Sequence, residues 1–152
     1  MRILVDADAL PGDARQILLR AAARVGAEIL LVANKPLRVP AGVTCVVVEE
    51  GYNVADDWIA ERVQPGDLVV TADVPLAGRA VRQGACALDP RGFLYTEDQG
   101  AERSAIRDLK EDLRNAGLLQ GGGPPPFSKK DAHKFANALD AWLTKACRES
   151  ES

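Results

Sequence analysis

Arg2-Ile3-Leu4-Val5-Asp6-Ala7-Asp8-Ala9-Leu10-Pro11-Gly12 is the stretch from which the fold of this chain can be read. An apolar run, Ile3 to Val5, ends in two aspartates and then in turn signals at Pro11 and Gly12. The run reads as a short buried strand, roughly Arg2 to Asp6. The pattern that follows, from about Gly12 to Val25, reads as a helix with Ile17, Leu18 and Ala21 on one face and Gly26 as its stop. A strand feeding a helix through a turn is the first half of a βαβ unit. Both carboxylates then stand at the carboxyl end of a strand, the edge where open α/β sheets place their ligands. Two aspartates there repel each other unless a cation, a proton or a basic partner compensates.

Working outward, apolar runs and helical patterns keep alternating. Strands are expected at about 28–33, 44–49, 67–71 and 85–88, with helices at about 54–63 and 76–83. The run Leu68-Val69-Val70 has the unbroken apolarity of a strand covered on both faces. The fold class expected is therefore α/β, a three-layer α/β/α sandwich with a mostly parallel sheet, plus C-terminal helices. A helix is expected over 101–116, with Ile106, Leu109 and Leu113 at core spacing. Gly121-Gly122-Gly123-Pro124-Pro125-Pro126 is expected as a hinge. Ser128-Lys129-Lys130-Asp131 resembles a capping box opening a last helix that carries Phe135, Leu139, Trp142 and Leu143, with a frayed tail after Cys147. At 152 residues the whole reads as one domain, 1–152.

Composition narrows the class of function. The net charge of −3 removes the bulk argument for nucleic-acid binding, since phosphate-binding surfaces usually carry a basic excess. A local basic rim beside an acidic site remains compatible with it. Nothing approaches the ~18 apolar residues of a membrane span. No signal peptide is read at the N-terminus. Three cysteines, Cys45, Cys86 and Cys147, lack metal-ligand spacing and read as reduced thiols, so a cytoplasmic location is expected.

Four acidic positions recur at one edge of the inferred sheet. Asp6 and Asp8 follow the first strand, Asp56 opens the helix after the third, and Asp73 follows the fourth; Asp89, after the fifth, is a weaker candidate. Singly, each is a common turn or N-cap residue. Together they are the oxygen donors that hard cations such as Mg²⁺ and Mn²⁺ take. Asp56 and Asp57 lie about 100° apart on a helix, so only one can face a shared site. Thr71 is placed to orient a ligand or to serve as a β-branched strand residue. Lys35, after the second strand, and Arg91, after the fifth, are candidate phosphate contacts; Arg38 and Arg79 are rim cations of the same kind. The lone His133 reads as part of a solvated helix face, and Trp58 and Trp142 as core. No Gly-Lys-Ser/Thr follows Gly121 to Gly123, so that run is not a phosphate loop.

Val5-Asp6-Ala7-Asp8-Ala9-Leu10-Pro11, Ala33-Asn34-Lys35, Ala55-Asp56, Gly66 through Ala77, Pro90-Arg91-Gly92 and Tyr95-Thr96 resemble the YaiI/YqxD family of bacterial proteins. That family in turn resembles PIN-like domains, metal-dependent ribonucleases with an α/β/α sandwich. By position, the resemblance implies Asp6, Asp73 and Thr71 as catalytic residues. It implies Asp6, Asp8, Asp56 and Asp73 as ligands of Mg²⁺ or Mn²⁺, and RNA as partner. Two positions depart from the family pattern. Leu10 stands where a Cys is common, and Ala132 where an Arg follows the Ser-x-x-Asp pattern. Two alternatives stay open. One is a nucleic-acid- or protein-binding module with a degenerate site. The other is a phosphatase of the haloacid dehalogenase type, which also places Asp-x-Asp after its first strand. That type needs its acidic pair downstream of the Val70-Thr71 position, whereas Asp56-Asp57 precedes it.

Overall fold

A computed structural model describes residues 1–51, 53–96 and 127–151 of the chain. The helix expected over 101–116 and the hinge at 121–126 lie outside them. The described elements are β1 (Arg2–Asp6), a 3₁₀ turn (Ala7–Ala9), α1 (Gly12–Val25), β2 (Glu28–Ala33), β3 (Val43–Val47) and α2 (Val54–Arg62). They continue with β4 (Leu68–Val70), α3 (Val74–Arg82), β5 (Cys86–Leu88), β6 (Leu94–Tyr95) and α4 (Lys129–Glu151). The sheet order is β3-β2-β1-β4-β5-β6, parallel except where β6 meets β5. The architecture is the α/β sandwich with a mostly parallel sheet that the pattern implied.

Strand alternation sorts the core into two layers. Ile3, Val5, Ile29, Leu31, Leu68, Val70 and Leu88 face α1 and α4, which bury Leu18, Phe135, Leu139 and Trp142 against them. Leu4, Val32, Val69 and Ala87 face the other way, onto α2 and α3. Both faces of β1 and β4 are covered, so those strands are continuously apolar rather than alternating. Fully burying each large aliphatic side chain contributes about 1.5–3 kcal/mol. Trp142 is core as expected, whereas Trp58 is only partly buried and carries the Arg62 guanidinium 4.2 Å above its ring.

Two local features differ from the sequence reading. β6 was not expected, because two residues leave no periodicity to detect. It exists because Asp89-Pro90-Arg91-Gly92 forms a tight turn. The Asp89 carboxylate accepts the Arg91 N–H at 2.7 Å, and the Gly92 N–H reaches the Asp89 carbonyl at 2.9 Å. Gly92 has φ +93°, and a Cβ there would lie 2.6 Å from the Lys134 backbone. Glycine is needed for both reasons. The second difference is the tail: α4 runs on to Glu151, since no Gly or Pro interrupts it. Its start is the reciprocal box expected, with Ser128 N–H to Asp131 Oδ2 and Asp131 N–H to Ser128 Oγ, both 3.1 Å. The three cysteines are free, two of them in strands. Among the described residues no helix is long and apolar enough to cross a membrane.

Candidate functional site

β1 leads through α1 to β2 on one side, and the chain later returns to β4 on the other. The strand order therefore reverses between β1 and β4. A crevice opens outside the carboxyl ends of strands at such a switch point. Asp6 closes β1 there and Thr71 follows β4. The register that pairs Val5 with Val70 places them side by side. Alternation turns both toward the α2–α3 layer, because Leu4 and Val69 face it. The Thr71 hydroxyl donates to Asp6 Oδ2 at 3.1 Å and accepts the Asp73 N–H at 3.0 Å. One side chain thus holds both acids in place. Asp73 Oδ1 in turn accepts the Leu76 N–H at 2.8 Å and caps α3. Asp6 and Thr71 are only 6% and 1% exposed, so the site is recessed below the sheet edge.

Burial pushes the Asp6 carboxyl up to about 6. The Thr71 hydroxyl opposes this, and the charges of Asp56, Asp73 and Asp8 add to it. Asp56, half-buried in the first turn of α2, is also raised. Burial is the main cause, followed by the charges of Asp73 and Asp57, and Arg79 opposes. Asp57 points elsewhere, onto Arg79 Nη1 at 2.8 Å. The two neighbouring acids of α2 therefore diverge, Asp56 to the site and Asp57 to a surface ion pair.

The structure brings Asp6, Asp56, Asp73 and Thr71 together. Asp8 stands beside them, exposed, with Oδ2 accepting the Asn34 N–H at 2.8 Å. That bond ties the end of β1 to the loop after β2, where Lys35 is exposed. Asp89 is buried in its turn. Burial raises its carboxyl, the Arg91 N–H and guanidinium lower it, and Asp131 raises it. Arg91 sits at the tip of that turn. Arg38 is exposed, His133 lies on the solvated face of α4, and Leu10 is packed in the core. The Asn34 N–H and the Asp57–Arg79 pair were missed in the sequence: a backbone donor has no sequence signal, and residues 57 and 79 meet only through helix packing.

Among the described residues, no group of three or more His, Cys, Asp or Glu side chains could by itself hold a metal ion. The acids share charge without forming a closed cage. The donor chemistry still suits Mg²⁺, which usually keeps several waters and takes only one or two carboxylates. The mutual repulsion of Asp6, Asp56 and Asp73 marks where a positive charge is wanted.

The model of the "Uncharacterized BCR, YaiI/YqxD family" matches residues 4–145. The chain belongs to that family. It is 53% identical over 150 residues to a UPF0178 protein of Geobacter sulfurreducens, covering 97% of this chain and 99% of the relative. A UPF0178 protein of Geobacter metallireducens is 50% identical over 151 residues, covering 98% and 97%. One of Yersinia pestis is 44% identical over 153 residues, covering 99% and 100%. YaiI/YqxD membership spans the whole site, from Asp6 to Arg91.

Proposed function

We propose that this protein is a divalent-metal-dependent hydrolase of phosphodiesters, with RNA as its substrate class. The observation that carries the reading is the convergence of Asp6, Asp56 and Asp73 at the switch point. The charges of Asp56 and Asp73 raise the Asp6 carboxyl, the charge of Asp73 raises that of Asp56, and the Arg79 guanidinium is paired with Asp57. A site that concentrates negative charge in a recess favours a small hard cation. The resemblance to PIN-like ribonucleases supports the same reading.

When bound, Mg²⁺ or Mn²⁺ would supply charge neutralisation at the phosphate and an acidified water. One or two of Asp6, Asp56 and Asp73 would hold it, with waters completing its shell. Thr71 keeps Asp6 and the Asp73 backbone in register through its two hydrogen bonds. Asp8 fixes the loop that carries Lys35. In the reaction, a water oxygen bonds to phosphorus and the P–O bond to one sugar breaks. The water proton passes to the leaving oxygen, giving a phosphomonoester and a hydroxyl.

Labelled single-stranded RNA incubated with Mn²⁺ tests the reading. Wild type should cut it, chelation should stop the cut, and Asp6→Asn and Asp73→Asn should lose it. Equal cleavage, or none, in all three proteins refutes the proposal. The absence of a three-carboxylate cage among the described residues favours the second reading, a module that binds without cutting. RNA binding that is independent of metal and of Asp6 would establish that module. The phosphatase alternative is weaker, because it needs an acidic pair downstream of Thr71, whereas Asp56-Asp57 precedes it.

A further inference from the structure

β3 is an edge of the sheet. Among the described residues, only β2 pairs with it. Proteins usually blunt such an edge with a lysine, a proline, a bulge or a very short strand. The opposite edge, β6, is two residues long. β3 keeps unbroken register over Val43-Thr44-Cys45-Val46-Val47, with no charge and no proline.

Two hydrogen bonds fix which way its backbone groups point. The Val48 N–H donates to the Ala33 carbonyl at 2.8 Å, toward β2. Backbone groups alternate along a strand. Those of Thr44 and Val46 therefore also face β2, and those of Val43, Cys45 and Val47 face outward. The Val43 N–H is satisfied within its own turn, on the Pro40 carbonyl at 3.2 Å. The outward donors left to the edge are the N–H groups of Cys45 and Val47.

We propose that this edge joins two copies of the chain, as an antiparallel pair of β3 strands related by a twofold axis at Cys45. The proposal is independent of the hydrolase reading. In that register Cys45 stands opposite Cys45, and Val43 opposite Val47. The Cys45 N–H reaches the Cys45 carbonyl of the second copy, and the Val47 N–H reaches its Val43 carbonyl. Symmetry repeats both bonds, so every outward donor is used. The side chains fit the same axis. Val43 packs with the α1 layer, whereas Val46 and Val48 pack with the α2–α3 layer. Alternation puts Cys45 and Val47 on the Val43 side. Val47 is 52% exposed, and in the pair it lies beside Val43 of the second copy. Val43 lines a hollow of about 440 Å³ with Leu19, Ala22, Ala23, Ile29 and Pro40, which the incoming Val47 would border. Charge fits as well. Exposed Arg38 precedes the strand, and exposed Glu49 and Glu50 follow it. Antiparallel pairing carries the acidic end of each copy to the Arg38 end of the other, whereas parallel pairing would set like charges together.

The contact is small beside the about 800 Å² per partner of a standard interface, so a reversible dimer with a Kd of roughly 10–100 µM is expected. Sedimentation velocity of the full, reduced chain across that range tests it. The mass should rise from 16.2 kDa toward twice that value. Val47→Pro deletes an outward donor, and Val47→Lys places a charge on the apolar stripe. Both should stay monomeric, with the circular dichroism and Tm of wild type, because Val47 is exposed. Arg38→Glu should weaken the dimer about 10-fold, and adding Glu49→Lys and Glu50→Lys should bring the affinity back. Opposed Cα atoms in such a pair lie about 5.5 Å apart, within disulfide range. A Cys86→Ala/Cys147→Ala chain, left with Cys45 alone, should therefore form a covalent dimer with diamide, and adding Val47→Lys should abolish it. A wild type that is monomeric throughout overturns the proposal. So does a dimer that both Val47 variants retain, or a dimer in which diamide leaves Cys45 unlinked.

Discussion

Asp6→Asn should make this protein more stable near neutral pH while removing the metal dependence proposed for it. Asp6 takes up a proton at about 6 in the folded chain against 3.8 as an ordinary carboxyl. The folded state thus binds that proton more tightly than the unfolded state does, and ionised Asp6 opposes folding. Below about 3.8 both states are protonated and the penalty vanishes. It grows between 3.8 and about 6 and is complete above that. The gap corresponds to about 3 kcal/mol at pH 7. Asparagine keeps an oxygen to accept the Thr71 hydroxyl and carries no charge, but its amide needs a new partner, so about 2–3 kcal/mol is the expected gain. For a chain of this length that is a rise in Tm of roughly 4–12 °C. Thermal unfolding of both proteins, followed by circular dichroism from pH 4 to 8, measures it. The difference should be near zero at pH 4 and fully developed by pH 7. Millimolar Mn²⁺ should raise the wild-type Tm at pH 7.5 and leave Asp6→Asn unmoved. A difference that does not change with pH, or a variant less stable than wild type at pH 7.5, refutes the argument that Asp6 is a strained, charge-crowded group.

Thr71→Val keeps the shape of the side chain but removes the donor to Asp6 and the acceptor for the Asp73 N–H. It should cost about 1–3 kcal/mol and push the Asp6 carboxyl higher. The first effect shows as a lower urea midpoint, the second as a pH profile against Asp6→Asn displaced upward; an unmoved profile contradicts the hydrogen bond's role. Gly92→Ala forces a Cβ against the Lys134 backbone at a φ of +93°, so about 2–5 kcal/mol should be lost. A change under 1 kcal/mol in chemical denaturation would show that the hairpin does not bear on α4.

The alternation of strands and helices was legible because apolar runs such as Leu68-Val69-Val70 are short, bounded by turns and too uniform for an amphipathic helix. α1 and β2 were expected at the very residues where they occur, since Gly12 and Gly26 mark the helix and the run from Ile29 to Ala33 has one reading. β3 and α3 were displaced by one or two residues, as happens when a terminus depends on a cap: Asp73 accepts the Leu76 N–H, so α3 starts at Val74. β6 was illegible because two residues make a strand only when a hairpin returns them to a neighbour. Among the acids, the divergence of Asp56 and Asp57 was implied by helix geometry, but which of them faced the site was not.

Residue chemistry was therefore written in the chain: the acids after strands, the threonine two residues before Asp73, the cations in the loops. Their positions relative to one another were not. Local pattern says that β1 and β4 are strands, and nothing local says that they are neighbours. That adjacency arises because the chain crosses to one side of β1, returns on the other, and buries both faces of the sheet under different helices. Only the resulting switch point sets Asp6 against Thr71 and Asp73. The physical reason is that side-chain chemistry is a property of one residue, whereas strand order is decided by apolar burial summed over the whole sheet.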